Sequence, residues 1–311
     1  MESGKKISVI VPCFNEEEGL ATFNQTLIQF IPKSYAYEII YINDGSKDNT
    51  FQVILSLAQD NPNIRYISFS RNFGHQNALK AGYDFATGDC AISLDADLQH
   101  PPAVIPELIR KWEEGFEIVN TIRNDHQSIS YAKKMSSGLF YKLMKSLSDV
   151  NIENGMADFR LIDKKVLKQL KLFPENFLFF RGIIPWMGFK QTTVTFVANE
   201  RFAGTTKYTF RKMLKFASTG LTAFSVKPLR ISIYLGSVIA VLSFSYGLYA
   251  VYTHLFTDRA VTGWTSMIIS VLFIGGINLL MLGIIGEYLG KLFIENKRRP
   301  NYLISETNIK V

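Results

Sequence analysis

The sequence predicts an α/β domain with a mostly parallel sheet, followed by an interfacial amphipathic helix and two transmembrane helices. Three observations carry this reading. Short apolar runs alternate with helical patterns from Ile7 to Ile122, the rhythm of a parallel sheet with helices on both faces. The first, second and fourth of those runs end in polar residues, Asn15-Glu16, Asp44-Gly45-Ser46 and Asp95-Ala96-Asp97, and such sheets bind ligands outside the carboxyl ends of their strands. Two later runs, Ile231 to Tyr252 and Trp264 to Ile285, contain no charged residue. Each is about 20 residues long, enough to cross a ~30 Å hydrocarbon core as a helix.

Taken in order, Ile7 to Val11 is the first strand, stopped by Pro12, and a helical pattern follows from Glu17 to Phe30. Glu38 to Ile42 is the second strand and ends in the turn signal Asn43-Asp44-Gly45-Ser46. Asp48 or Asn49 caps the helix that continues to Gln59. Ile64 to Phe69, Cys90 to Leu94 and Ile118 to Ile122 read as further strands, with helices over His75 to Phe85 and Val104 to Glu114 between them. Ile129 to Leu147 is a long helical pattern carrying Lys133, Lys134, Lys142 and Lys145. Asn154 to Arg160 then brings the charged pair Asp158 and Arg160 into a modest segment. Phe173 to Phe189, dense in Phe, Ile and Trp, fits core packing or a surface lying on lipid. From Lys207 to Ser225, Phe210, Met213, Leu214, Ala217, Leu221 and Phe224 recur at helical spacing against Arg211, Lys212 and Lys215. That pattern suits a helix at the bilayer interface, with a soluble bundle helix as the alternative.

The chain has 311 residues and a formal net charge of +7. That length allows a main domain with an appendage, and the charge suits nucleic acid, an anionic membrane surface or a phosphorylated substrate. The apolar spans favour the membrane face over nucleic acid. Lys227 and Arg230 precede the first span, and Lys291, Lys297, Arg298 and Arg299 follow the second, while the loop from Thr253 to Gly263 carries only Asp258 and Arg259. The positive-inside rule places both outer flanks in the cytoplasm. Met1 to Lys6 is polar and no secretory leader follows it, so the expectation is a multi-pass protein of the cytoplasmic (inner) membrane with its main domain and both termini inside. Cys13 and Cys90 lie in or beside apolar runs and read as reduced core residues. Gly275, Gly276, Gly283 and Gly286 would allow close helix contact, so a homo-oligomer is possible; lipid-facing glycines are the alternative.

Asp95 and Asp97 are the chemically most informative pair. In an extended chain, residues i and i+2 point the same way, so the two carboxylates aim at one point. Their mutual repulsion calls for a cation, and hard oxygen ligands suit Mg²⁺ or Mn²⁺. An ion held by so few protein groups takes a phosphorylated substrate as its other partner. The Gly-x-Gly-x-x-Gly fingerprint of a dinucleotide-binding unit is missing, with Pro12-Cys13-Phe14-Asn15-Glu16 in its place, which argues against a dehydrogenase.

Several motifs occur together in order: Val11-Pro12-Cys13-Phe14-Asn15-Glu16-Glu17, Asn43-Asp44-Gly45-Ser46-Lys47-Asp48-Asn49-Thr50, Asp95-Ala96-Asp97-Leu98-Gln99-His100-Pro101-Pro102, Ala157-Asp158-Phe159-Arg160-Leu161 and Glu200-Arg201-Phe202-Ala203-Gly204-Thr205-Thr206-Lys207-Tyr208. Over nearly its whole length the chain resembles the polyprenyl-phosphate glycosyltransferases, which include dolichol-phosphate mannose synthases and bacterial bactoprenol glucosyltransferases. The resemblance implies a GT-A fold over 1–206, a juxtamembrane amphipathic helix over 207–228, a transmembrane hairpin over 229–290 and a cytoplasmic basic tail over 291–311. By resemblance, Pro12, Phe14, Glu16, Asp44 and Asp95 would line the nucleotide-sugar site. Asp95, Asp97 and Gln99 would hold the metal. Phe14 lacks the hydroxyl of the Tyr found in relatives, and Asn43 stands where many relatives have Asp. His100, Asp in some relatives, reads as a loop residue rather than a ligand.

The implied reaction joins a nucleotide-diphosphate sugar to a polyprenyl phosphate in the bilayer. A phosphate monoester is largely anionic at neutral pH, so it needs a cationic clamp more than a base. Arg123, Lys133, Lys134, Arg201 and Lys207 are the candidates for that clamp, with Arg201 and Lys207 also counted as catalytic. Asp158 matches the acid that relatives place opposite the sugar. It could act as a base, orient the acceptor or form a structural pair with Arg160. A single displacement predicts inversion. Glucose from UDP-glucose onto undecaprenyl phosphate leads. Mannose from GDP-mannose, an aminosugar, or an inactive sugar-nucleotide sensor are alternatives. A processive synthase would carry Gln-x-x-Arg-Trp and more spans, and the sequence lacks that motif.

Overall fold

The computed structural model describes residues 4–124, 155–175, 178–197, 226–256 and 263–310. Strands β1 (Lys6–Cys13), β2 (Ala36–Asn43), β3 (Ile64–Phe69), β4 (Cys90–Ser93) and β5 (Ile118–Asn124) alternate with helices α1 (Leu20–Phe30), α2 (Thr50–Asp60), α3 (His75–Phe85) and α4 (Ile105–Glu113). These match the sequence expectation element by element. Beyond them lie β6 (Met156–Asp163), α5 (Lys164–Leu170), α6 (Phe180–Trp186) and β7 (Gln191–Val197). Two long helices follow, α7 (Lys227–Phe256) and α8 (Trp264–Asn296), and then β8 (Ile304–Thr307).

The eight strands form one mixed sheet in the order β7-β5-β6-β4-β1-β2-β3-β8. The ladders of β1 with β2 and β4, of β2 with β3, and of β5 with β7 are parallel. β6 runs antiparallel between β4 and β5, and β8 antiparallel along β3. Because successive side chains of a strand face opposite sides, β1 sends Val9 and Val11 to one core and Ile10 to the other. α1, α2 and α4 cover the first face with Leu20, Phe23, Ile54, Leu108 and Trp112. α3, α5 and α6 cover the second with Leu79, Val166, Leu170, Phe180 and Ile183. Cys13 and Cys90 are buried and unpaired, as the sequence suggests.

The Phe-rich stretch from Phe173 to Phe189 divides between its two readings. Phe180, Ile183 and Ile184 are buried, whereas Trp186 is exposed. The helical pattern from Ile129 to Leu147 and the amphipathic pattern from Lys207 to Ser225 lie outside the described residues.

Among the described residues one helical stretch, Ile269–Asn296 in α8, is long and apolar enough to cross a membrane. The apolar stretch of α7 is the shorter Ile233–Tyr249. The final residues do not trail away from the domain. Ser70 N–H donates to the Leu303 carbonyl at 3.0 Å, Asn308 bonds the backbone of Tyr66 and Ile64, and Tyr302 stacks on Phe69 at 5.0 Å. β8 thereby covers an edge that β3 would otherwise leave open.

Candidate active site

At the carboxyl ends of β1 and β2, two loops are stitched together. Asn15 adopts a left-handed backbone, φ 56°. That conformation suits Asn better than most side chains. Its N–H donates to Ser46 Oγ at 3.1 Å and its Oδ1 accepts from Lys47 N–H at 2.9 Å. Glu16 N–H donates to Thr50 Oγ1 at 2.8 Å. Asn43 uses both ends of its amide, donating to Ser68 Oγ at 2.9 Å and accepting from Ser46 N–H at 3.1 Å. Pro12 is buried beneath this platform, Glu16 is half-buried and the Phe14 ring is 40% exposed above it.

Asp44 is buried, and its carboxylate turns toward the chain after β3. It accepts from Phe73 N–H at 2.6 Å and from Gly74 N–H at 3.0 Å. Burial pushes this carboxyl up from its ordinary value, and the two backbone donors with His75 and Arg71 pull it partly back. Gly45, at φ +63°, lies so close to this segment that a Cβ there would fall on the Arg71 carbonyl carbon and the Asn72 nitrogen. Asp44 and Gly45 therefore press residues 71–74 into a wall beside the β1 and β2 loops.

The paired acids follow β4. Asp95 is half-exposed; its N–H donates to His100 Nδ1 at 3.1 Å, and one of its carboxylate oxygens lies 3.4 Å from the same nitrogen. His100 is buried and stacks on Phe159, a supporting place in the loop, as the sequence suggests. Asp97 Oδ1 accepts from Gln99 N–H at 3.1 Å, across Leu98 with its φ of 59°. Gln99 Oε1 accepts from Arg123 Nη1 at 3.3 Å, so Arg123 reaches this loop from the end of β5. Among the described residues, no three His, Cys, Asp or Glu converge as a metal cage. The donor set is two hard carboxylates, which fits Mg²⁺ or Mn²⁺ completed by phosphate oxygens and water.

Asp158 stands next to this loop because of the strand register. The antiparallel β4–β6 ladder runs as far as the Ser93–Arg160 pair, which leaves Asp158, two residues back along β6, beside the chain that leaves β4. Ser93 Oγ donates to the Asp158 carbonyl at 2.6 Å and accepts from Tyr83 Oη at 2.9 Å. The Asp158 side chain is buried. Its Oδ1 accepts from Arg160 Nη2 at 2.9 Å, and its Oδ2 from Arg181 Nη2 at 2.9 Å. Gln76 Nε2 donates to Oδ2 at 3.4 Å while its Oε1 accepts from Phe180 N–H at 3.1 Å. His75 Nε2 lies between the acids, 3.7 Å from Asp95 and 3.8 Å from Asp158. Burial alone would raise the Asp158 carboxyl, but Arg181, Arg160 and His75 outweigh it and hold it far below the usual carboxylate range.

The fold thus places Pro12, Phe14, Glu16, Asp44, Asp95, Asp97, Gln99, Arg123 and Asp158 at one end of the strands, the carboxyl ends of β1, β2, β4 and β5 and the start of β6. Lys133, Lys134, Arg201 and Lys207 lie outside the described residues. Sequence reasoning missed His75, Gln76 and Arg181. The first two open α3, after the loop that leaves the carboxyl end of β3, where extending the rule applied to the other strands would have found them. Arg181 carries no such local signal.

A mostly parallel α/β sheet with paired carboxylates just beyond β4 defines the class of fold. The chain belongs to glycosyl transferase family 2, which it matches over residues 8–171. Residues 227–292 match the GtrB C-terminal hairpin. The chain is 44% identical to a prophage bactoprenol glucosyl transferase homolog of Escherichia coli (strain K12), over 96% of this chain and 98% of that protein. It is 42% identical to the bactoprenol glucosyl transferase of Shigella phage SfV, over 98% of this chain and 100% of that protein. Among solved structures it is similar to glucosyl-3-phosphoglycerate synthase from Mycobacterium tuberculosis in complex with Mn²⁺, UDP-glucose and phosphoglyceric acid. That likeness has a TM-score of 0.50 at 14% identity, covers 71% of this chain and 79% of the other, and supports a GT-A-like fold.

Proposed function

We propose that this protein is a membrane-bound, inverting glycosyltransferase that moves glucose from UDP-glucose onto a polyprenyl phosphate at the cytoplasmic face. The observation that carries the reading is similarity across nearly the whole chain to proteins named bactoprenol glucosyl transferase. The order of the site along the sheet agrees with it. The β1 and β2 loops would take the nucleotide, with the Phe14 ring against the base and the 71–74 wall, braced by Asp44, beside it. Asp95 and Asp97 follow just beyond β4, where the diphosphate would end. Asp158 and Arg160 follow on β6, with Arg181 reaching them from α6, where the sugar and acceptor would meet.

In the reaction, an oxygen of the acceptor phosphate bonds to the anomeric carbon as the bond from that carbon to the UDP oxygen breaks, and UDP leaves with the electron pair. One displacement inverts the centre, giving a β-linked sugar phosphate from an α-linked donor. Mg²⁺ or Mn²⁺ held by Asp95 and Asp97, with Gln99 beside them, would supply positive charge to the leaving diphosphate. The acceptor needs no strong base, and Asp158 is a poor one: both its oxygens accept from guanidiniums. α7 and α8 would form a two-span hairpin, and Leu172 and Trp186 an exposed apolar face toward the lipid.

The test is transfer of radiolabelled sugar from a panel of nucleotide sugars to undecaprenyl phosphate by membranes containing the full chain, with Mg²⁺ or Mn²⁺ and then with EDTA. Metal-dependent label from UDP-glucose in the lipid phase is the expected result. Label from GDP-mannose alone would change the sugar, and no label from any donor would remove the transfer reading.

A further inference from the structure

One ring stands between the acids of the site. His75 opens α3, and its side chain is 43% exposed, with Nε2 3.7 Å from Asp95 Oδ1 and 3.8 Å from Asp158 Oδ2. Both gaps are beyond hydrogen-bond reach, and among the described residues the ring makes no hydrogen bond. The backbone on either side of it is fixed. Gly74 N–H donates to the Asp44 carboxylate at 3.0 Å. Gln76 spans from Asp158 Oδ2 to the Phe180 N–H with the two ends of its amide. The fold therefore anchors both neighbours of His75 and leaves its own donor unspent, facing two carboxylates.

A polar gap of this width is closed by one oxygen that touches both sides. That oxygen must accept from Nε2 and donate to a carboxylate, which a hydroxyl does with its lone pairs and its proton. A diphosphate oxygen carries negative charge and would face both acids. Asp95 is the carboxylate with room for the hydroxyl, because Asp158 Oδ2 already accepts from Arg181 and Gln76. A carboxylate offers about four lone-pair sites, so Asp95 can take a hydroxyl and a metal together. The position then selects the group that carries the hydroxyl. Residues 71–74, held by Asp44, lead into His75 from the nucleotide side, and Asp158 stands beyond it. Between nucleotide and acceptor lies the sugar. We infer that His75 is a specificity residue whose Nε2 donates to a hydroxyl of the donor hexose, which donates in turn to Asp95. The inference rests on the proposed transfer reaction and adds the side chain that reads the sugar.

The experiment measures binding of UDP, UDP-glucose and the UDP-glucose analogues lacking the 2-, 3-, 4- or 6-hydroxyl. It uses the full chain in detergent with Mg²⁺, for the wild type, H75A, H75F and H75Q. Glucosyl transfer to undecaprenyl phosphate by the wild type is followed alongside and tests the transfer reaction by itself. Its absence would remove that reaction, while the binding comparison still decides His75. H75A should weaken UDP-glucose by about three- to tenfold, the range of one hydrogen bond, and UDP by less than about twofold. In the wild type one deoxy analogue should bind more weakly than UDP-glucose by a similar factor, and in H75A that difference should vanish. H75Q keeps an N–H donor and should recover part of the loss. H75F keeps a ring without a donor and should recover none. Melting curves report whether each variant is folded; if H75A is not, H75F takes its place in both comparisons. An equal loss for UDP and UDP-glucose would assign His75 to the nucleotide wall and overturn the inference. Deoxy penalties that are the same with and without His75 would also overturn it.

Discussion

Asp158 and Arg160 lie two residues apart on the same face of β6, and their side chains meet at 2.9 Å with the guanidinium fully buried. The pair is as much a structural commitment as a chemical one. Removing one member of a buried ion pair strands the other charge, at a cost of about 3–5 kcal/mol. D158N should therefore melt earlier than wild type and lose transfer, while any folded fraction still binds UDP-glucose. The pH sign follows from the lowered carboxyl. Its stabilisation is fully present above the unfolded carboxylate value of about 3.9 and fades as pH falls through the lower folded value. Wild-type melting should fall on acidification below about pH 4, and D158N should fall less steeply. Near-wild-type turnover in D158N would remove Asp158 from the site.

Asp97 tests the metal. Its Oδ1 accepts from Gln99 N–H at 3.1 Å, a bond the amide oxygen of Asn can keep, so D97N should fold normally. Transfer should drop on the order of a hundredfold, and UDP affinity should become insensitive to Mg²⁺ or Mn²⁺. Calorimetric titration of UDP with and without EDTA measures this directly, and retained metal-sensitive binding would count against Asp97 as a ligand.

Gly45 tests the wall beside the nucleotide loops. An alanine there meets a left-handed backbone, which costs an L-residue roughly 1–2 kcal/mol, and its Cβ collides with Arg71 and Asn72. G45A should lower the melting temperature and weaken UDP binding more than it weakens acceptor binding. Equal losses for both substrates would mean that the wall serves the whole domain rather than the nucleotide.

The terminal strand predicts a remote effect. Tyr302 stacks on Phe69 at 5.0 Å, and its hydroxyl donates to Asp84 at 2.9 Å. Asp84 also pairs with the buried Lys80. Y302A removes a ring contact worth about 0.5–1.5 kcal/mol beyond its burial and a charge-assisted hydrogen bond of about 1.5–3 kcal/mol. Melting of the full chain should shift down, and UDP binding should weaken because β3 leads into the segment that Asp44 holds. An unshifted melting curve would show that β8 adds nothing to the domain.

The first five strands and four helices were legible because each is a local pattern: a short apolar run or a helical period, closed by a turn signal such as Asn43-Asp44-Gly45-Ser46. The acids after β4 were legible as a pair from their spacing, but their extended geometry was not borne out: β4 ends at Ser93 and Asp97 lies in the turn that follows. β6 was harder. Its Asp158 and Arg160 face the core side covered by α3 and α6, and two charges in a strand look solvent-exposed until a third charge from elsewhere closes the cluster. β8 has four residues and gains its place from the open edge of β3.

By itself, then, the sequence determined the alternation of strand and helix, the apolar run of the last long helix and the carboxylates that follow β4, because propensity, periodicity and spacing act within a few residues. Only the tertiary structure decided the state of those carboxylates' neighbour. The antiparallel β4–β6 ladder leaves Asp158 beside the chain that exits β4, and α6 delivers Arg181 to it from 23 residues further along the chain. The balance between burial, which favours a neutral acid, and two guanidiniums, which favour the anion, exists only once those segments pack.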